Sequence, residues 1–126
     1  MTVTQNADGQ SFTFRVQEHG IGALRATASL DPAAVQQQLV HYTTQHGQLK
    51  GLLLDVSGDM RLSLVNLTRL LESLAQFAVP ISVVMGDESQ QRLAALLRNT
   101  LPSRNQIAYF TASDDAWAFL RPNGQH

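Results

Sequence analysis

The chain contains no cysteine. Disulfides, thiolate metal sites and cysteine nucleophiles are thereby excluded, and a reducing compartment is the compatible one. Lysine occurs once, at Lys50, and the arginines are scattered from Arg15 to Arg121 without forming a run. With a formal net charge of -1, the chain lacks both the basic footprint of a nucleic-acid binder and a polybasic membrane patch. Long apolar runs are missing too. The longest are of the GLLL kind at 51–54, far short of the roughly 18 residues of a membrane span. The opening MTVTQNADGQ is polar and carries no signal-peptide core. These absences point to a cytoplasmic protein with no transmembrane segment and no nucleic-acid partner.

What is present suits one globular domain. The length is 126 residues and the hydrophobic fraction 44%, enough for a single core and too little for two. The expected organisation is a flexible leader over residues 1–10, one domain over 11–121 and a short tail over 122–126. Neither repeats nor low-complexity segments interrupt it.

The organising stretch runs from Lys50 to Phe77. It reads as a buried strand, GLLLDV, a polar turn, and a long amphipathic helix from Ser63. Leu67, Leu70, Leu71, Leu74 and Phe77 recur at helical spacing and predict one apolar stripe. Ahead of this unit, SFTFRVQ (11–17) and IGALRATA (21–28) alternate as strands do, with Glu18, His19 and Gly20 as the turn of an antiparallel hairpin. Asp31-Pro32 marks a helix start in which the Asp31 side chain caps the first amides. Val35, Leu39, Val40 and Tyr42 form its expected apolar side, and Gly47 its stop. Beyond Pro80, ISVVM (81–85) is a second buried strand. GDES (86–89) ends it and leads into a helix over 90–99, with Leu93, Leu96 and Leu97 predicted inside. QIAYF (106–110) is the last strand. Ser113, Asp114 and Asp115 are the expected cap of a final helix that buries Ala116, Trp117 and Leu120.

The order is β-β-α-β-α-β-α-β-α. Strand–helix alternation behind a leading hairpin predicts an α/β fold, a mixed sheet mostly parallel with right-handed crossovers and helices packed on it.

In LLLDVSG (52–58), ISVVMGD (81–87) and IAYFTASDDAWAFL (107–120), in that order and spacing, the chain resembles a STAS domain of the SpoIIAA-like branch. The resemblance spans roughly Phe12 to Leu120. In the regulatory members of that family a switch serine opens the helix after the LDLSG-like strand, within an Asp-Ser-Ser-Gly pattern. The matching window here is Ser63-Leu64-Val65-Asn66. Leu64 stands where the switch serine is expected, so the phosphorylation switch does not carry over at that position. Asp55, Ser57 and Gly58 do match. This departure suits SpoIIAA-like and Sec14-like relatives, which the resemblance associates with small-ligand, lipid or protein binding.

Asp55, Ser57, Gly58 and Asp59 form the dense polar cluster at a strand's carboxyl end, the edge at which open parallel sheets bind ligands. Ser57 and Asp59 also suit the plainer task of satisfying turn amides, and that reading is preferred. A phospho-receiver would need an acidic pair after the first strand and a lysine after the last. The first strand instead ends in Val-Gln-Glu, and Lys50 precedes its own strand. An Asp-x-Ser-x-Asp magnesium site would need further ligands from Asp87 and Glu88 and is not adopted. His41 and His46, five apart, fall on different helix faces.

Leu62, Leu64 and Val65 crowd the start of the Ser63–Phe77 helix beyond a single stripe; an apolar patch open to a partner or lipid tail and ordinary core packing around a curved sheet account for this equally well. The expectation is therefore a non-enzymatic binding or regulatory module with no catalytic residues, cofactor or metal. Its site would comprise Asp55, Ser57, Gly58, Asp59, Leu62, Ser63, Leu64, Val65, Gly86 and Asp87, facing a protein partner or a small apolar ligand. A homodimer is compatible with this reading. The alternative is a phosphoregulated antagonist using Ser57 or Ser63.

Overall fold

The computed structural model describes residues 12–17, 20–27, 30–58, 63–77, 79–98 and 107–120. Five strands and four helices follow in the order β1 (Phe12–Val16), β2 (Ile21–Ala26), α1 (Pro32–His46), β3 (Gly51–Asp55), α2 (Leu64–Ala75), β4 (Ile81–Val84), α3 (Glu88–Arg98), β5 (Ile107–Phe110) and α4 (Ser113–Leu120). The expected α/β alternation is thus the observed one.

The strands form one sheet in the order β1-β2-β3-β4-β5. β1 pairs antiparallel with β2, Phe14 opposite Leu24, and every later pair is parallel. Each helical crossover therefore steps to the next strand in the same direction. Because such crossovers are right-handed, α1, α2 and α3 fall on one face. The core agrees: Phe14, Leu24, Leu54 and Val83 are buried with Val35, Leu39, Leu70, Leu74 and Leu97 from those helices. The alternate strand positions, Ile21, Leu53 and Val84, turn the other way and pack with Ala116 and Leu120 of α4. β3 is covered on both faces, which accounts for its unbroken apolar run. α4 is tied down by a polar contact as well. The buried Ser82 hydroxyl of β4 donates to the Ala116 carbonyl at 2.8 Å.

α2 is the clearest product of its sequence. Ser63 caps it, its Oγ accepting the Asn66 amide at 3.2 Å, and Leu67, Leu70, Leu71 and Leu74 are buried; Phe77, past the helix end, is half-buried. Gly47 closes α1 with φ +92°, its amide donating to the Thr43 carbonyl, a backbone conformation that residues with a Cβ rarely adopt.

Four details depart from expectation. The Asp31 side chain makes no cap hydrogen bond; only its backbone carbonyl engages α1, accepting the Val35 amide. Val40 is exposed, because the inward stripe is Val35, Leu39 and half-buried Tyr42, and Val40 lies about 100° round the helix from Leu39. On α3, Leu96 is 55% exposed, while Gln90, Ala94 and Leu97 are buried. At α4, Ser113 is already helical and Ala112 occupies the cap position, its carbonyl accepting the Ala116 amide.

Candidate functional site

The carboxyl ends of β2, β3 and β4 lie side by side, and the polar cluster singled out from sequence sits there. Asp55 ends β3. Its Oδ1 accepts the Ser57 amide at 3.0 Å and the Ser57 hydroxyl at 2.5 Å, the local turn closure to which a short carboxylate is suited. Its Oδ2 faces the Arg25 guanidinium at 3.9 Å, across the register pair that β2 and β3 make. Both carboxylate oxygens are therefore engaged within the protein. Arg25 is 75% exposed, so this pair is solvated and weak.

Two glycines close the edge. A Cβ on Gly58 would stand 2.7 Å from the Ala26 carbonyl oxygen at the tip of β2. A Cβ on Gly86 would stand 3.1 Å from the Ser57 Cβ and 3.2 Å from Gln90 Oε1. The β3–α2 loop is thus pressed between the ends of its two neighbours. Gln90 completes the joint. Its buried side chain donates to the Val56 carbonyl at 2.8 Å and accepts the Gly86 amide at 2.6 Å. Asp87 caps α3, its Oδ1 accepting the Gln90 amide at 2.9 Å.

The structure thus brings Asp55, Ser57, Gly58, Gly86 and Asp87 together along one strand-end ridge. Strand order never reverses among β2 to β5, so the crevice that opens where helices diverge to opposite faces has no place to form. Ser63, Leu64 and Val65 stand apart at the mouth of α2, with no hydrogen bond to either loop among the described residues. Leu64 is 39% and Val65 58% exposed, whereas the later leucines of the same helix are buried. Asp59 and Leu62 lie outside the described residues.

Two features were not anticipated. Gln90 is the first. Asp87-Glu88-Ser89-Gln90 has the spacing of a capping box, in which a glutamine three residues into the helix reaches back to the cap. Here it reaches one residue further, to Gly86. That motif was the available signal. The second is an open groove of about 560 Å³ between α1 and α2, lined by Asp31, Gln36, Asn66, Arg69, Glu72 and Ser73 among others. It lies on the helix side and includes none of the residues of the ridge. No group of three or more histidine or acidic side chains able to hold a metal ion occurs among the described residues, and no described helix is long and apolar enough to cross a membrane.

No family model matches the chain, and no curated protein matches it. Among solved structures, an anti-sigma factor antagonist from Mycobacterium paratuberculosis is similar, with a TM-score of 0.60 and 18% sequence identity. The match covers 97% of this chain and 94% of that one. The likeness is one of fold over nearly the full length of both chains. The protein therefore has the STAS-type fold that its LLLDVSG, ISVVMGD and IAYFTASDDAWAFL segments led us to expect.

Proposed function

We propose that the protein is a non-enzymatic regulatory or binding module that engages its partner at the mouth of α2. The observation carrying this reading is the split along that helix. Leu64 and Val65 are exposed at its opening, while Leu67, Leu70, Leu71 and Leu74 are buried behind them. Two neighbouring apolar side chains left partly in solvent at a helix start are what a contact surface would present. The ridge beside them favours a contact surface over a reaction site. Asp55 is engaged by Ser57 and Arg25, and the described parts of the two loops approach closely at Gly58 and Gly86.

The occupant we favour is another protein. The fold neighbour is by name an antagonist of an anti-sigma factor, and a regulatory protein contact is what that kinship brings to this chain. A small apolar or lipid ligand is the second candidate. The phosphoregulated alternative is less well supported. A phosphate on Ser57 would set a dianion against the Asp55 carboxylate that its hydroxyl now touches. Ser63 is spent as the cap of α2.

Native mass spectrometry of the protein purified from its host separates these readings. A bound protein supports the favoured one, a bound lipid or small molecule the second, and stoichiometric phosphate the switch. Leu64→Asp then tests the surface. Its fold should be unchanged by circular dichroism, and its captured partner should be lost. Retention of the partner by a folded Leu64→Asp protein overturns the assignment.

A further inference from the structure

Among the described residues, the second face of the sheet is only half covered. Five strands spaced about 4.8 Å apart span roughly 19 Å between the outer axes, and one helix with its side chains is roughly 10–12 Å wide. Three helices cover the first face. On the second, α4 packs over β3, β4 and β5 and reaches β2 through Ile21 and Ala23. The β1–β2 half carries Thr13, Arg15, Ala23 and Arg25 on this side, since Phe12, Phe14, Val16, Leu24 and Ala26 face the other core. Arg15 and Arg25 are both exposed; Arg25 also faces the Asp55 carboxylate of β3 at 3.9 Å, so Arg15 is the guanidinium here with no ion pair among the described residues. Thr13 pairs with Arg25 and Arg15 with Ala23, so the two guanidinium-bearing residues are diagonal neighbours, with the small Thr13 and Ala23 between them and Asp55 beside Arg25 on β3.

The outer surface of α4 has the opposite character. Ala116 and Leu120 point into the core, and Asp114, Asp115, Ala118 and Phe119 are exposed. Two acids stand at the helix start. A small residue and an aromatic follow, the aromatic ring lying 5.8 Å from that of Phe110. The same face of one molecule thus presents a shelf with two arginines and small residues beside a ridge with two aspartates and an apolar end.

We propose that this face is a self-association surface. In a two-fold dimer, α4 of each copy lies on the β1–β2 shelf of the other, with Asp114 and Asp115 against Arg15 and Arg25, and Ala118 and Phe119 against Thr13 and Ala23. A surface holding both a patch and its complement is what a closed two-fold contact needs, because each contact is made twice. The two α4 helices side by side supply the width that one lacks. One eight-residue helix on two strands is at the small end of specific interfaces, so the dimer is weak, and its charged contacts make it sensitive to salt. The inference is independent of the reading given for the α2 mouth, which lies at the edge of the opposite helix layer.

Sedimentation of the full chain at increasing concentration tests it. A monomer–dimer equilibrium is expected, weakened at about 1 M salt, where the screening length falls to roughly 3 Å. Arg15→Glu and Asp115→Arg each make two symmetry-related contacts repulsive, and each alone should weaken association about tenfold or more. Mixing the two variants should restore it, because the mixed dimer pairs Glu with Arg at one contact and Arg with Asp at the other. Three results overturn the proposal: a monomer into the high micromolar range, a dimer indifferent to either reversal, or variants that stay monomeric when mixed while circular dichroism shows both folded.

Discussion

The Gln90 side-chain nitrogen lies 2.8 Å from the Val56 carbonyl oxygen and donates to it from a buried position. The same side chain accepts the Gly86 amide, so one residue of α3 joins the ends of β3 and β4. Gln90→Leu keeps the volume and removes both bonds. Leaving a buried donor and acceptor unmade costs about 1–3 kcal/mol each, and solvent reaching this edge will relieve part of that. A loss of roughly 2–4 kcal/mol in urea unfolding is expected on that basis, as a lower midpoint with an unchanged slope. A midpoint within error of the parent would show that the joint carries no stability.

The two long helices start differently, and their caps should respond differently. Ser63 Oγ accepts the Asn66 amide, so Ser63→Ala should cost about 1 kcal/mol. Asp31 makes no such bond. Asp31→Ala should cost only what an exposed carboxylate gains from the helix dipole, about 0.3–1 kcal/mol, and that part should fade in salt. Urea midpoints measured at low and high salt check both: the Ser63 effect should persist and the Asp31 effect shrink.

These starts also mark where sequence reasoning was sufficient and where it was not. α2 was legible because its four apolar positions Leu67, Leu70, Leu71 and Leu74 repeat at one helical period, and a single face of a single helix decides their burial. The hairpin and the parallel strands were legible from alternation and from unbroken apolar runs. α3 was legible at Leu97, which is buried, and at Leu93, which packs partly buried against the core, but not at Leu96, because the structure rotates the helix so that Gln90 and Ala94 lie inside. What turned it is a polar requirement. The Val56 carbonyl and the Gly86 amide need partners at the end of the sheet, and they come from segments more than 25 residues apart in sequence. The polar cluster at Asp55–Gly58 could be located from its strand end. Its closure against Ala26 and Gly86 could not, since no local pattern encodes which backbone a glycine will meet.

That closure gives a prediction of its own. A Cβ at Gly58 would meet the Ala26 carbonyl oxygen at 2.7 Å. The obstacle is backbone in the ladder, which no rotamer change can move aside, so Gly58→Ala should lose about 1–3 kcal/mol by overpacking. The displaced loop should also shift the amide resonances of Ala26 and Ser57. Gly86→Ala meets Ser57 Cβ at 3.1 Å and Gln90 Oε1 and the Ser57 Cα at 3.2 Å, looser contacts than that at Gly58, so its cost should be smaller. Equal costs for the two substitutions would contradict the difference in how closely the added methyl meets its neighbours.

α4 offers the sharpest local test, because the chain's one tryptophan lies on it. Trp117 is half-buried beside Ala116 and Leu120, and its fluorescence reports whether the helix is seated. The helix is held by two kinds of force. Ala116 and Leu120 pack on Ile21, Leu53 and Val84, and the Ser82 hydroxyl donates to the Ala116 carbonyl. Ser82→Ala removes the hydroxyl and leaves the packing. The Ala116 carbonyl retains its place in the helix, so the expected loss is about 1 kcal/mol, with little change in Trp117 emission. Leu120→Ala removes packing at the end of the helix, where Leu120 approaches Gly51. It should cost about 2–3 kcal/mol, the low end for such a change, because the site is near the surface. Emission should then move to longer wavelength as the helix loosens. If Ser82→Ala produced the larger red shift, the hydrogen bond rather than the apolar contact would be what seats α4.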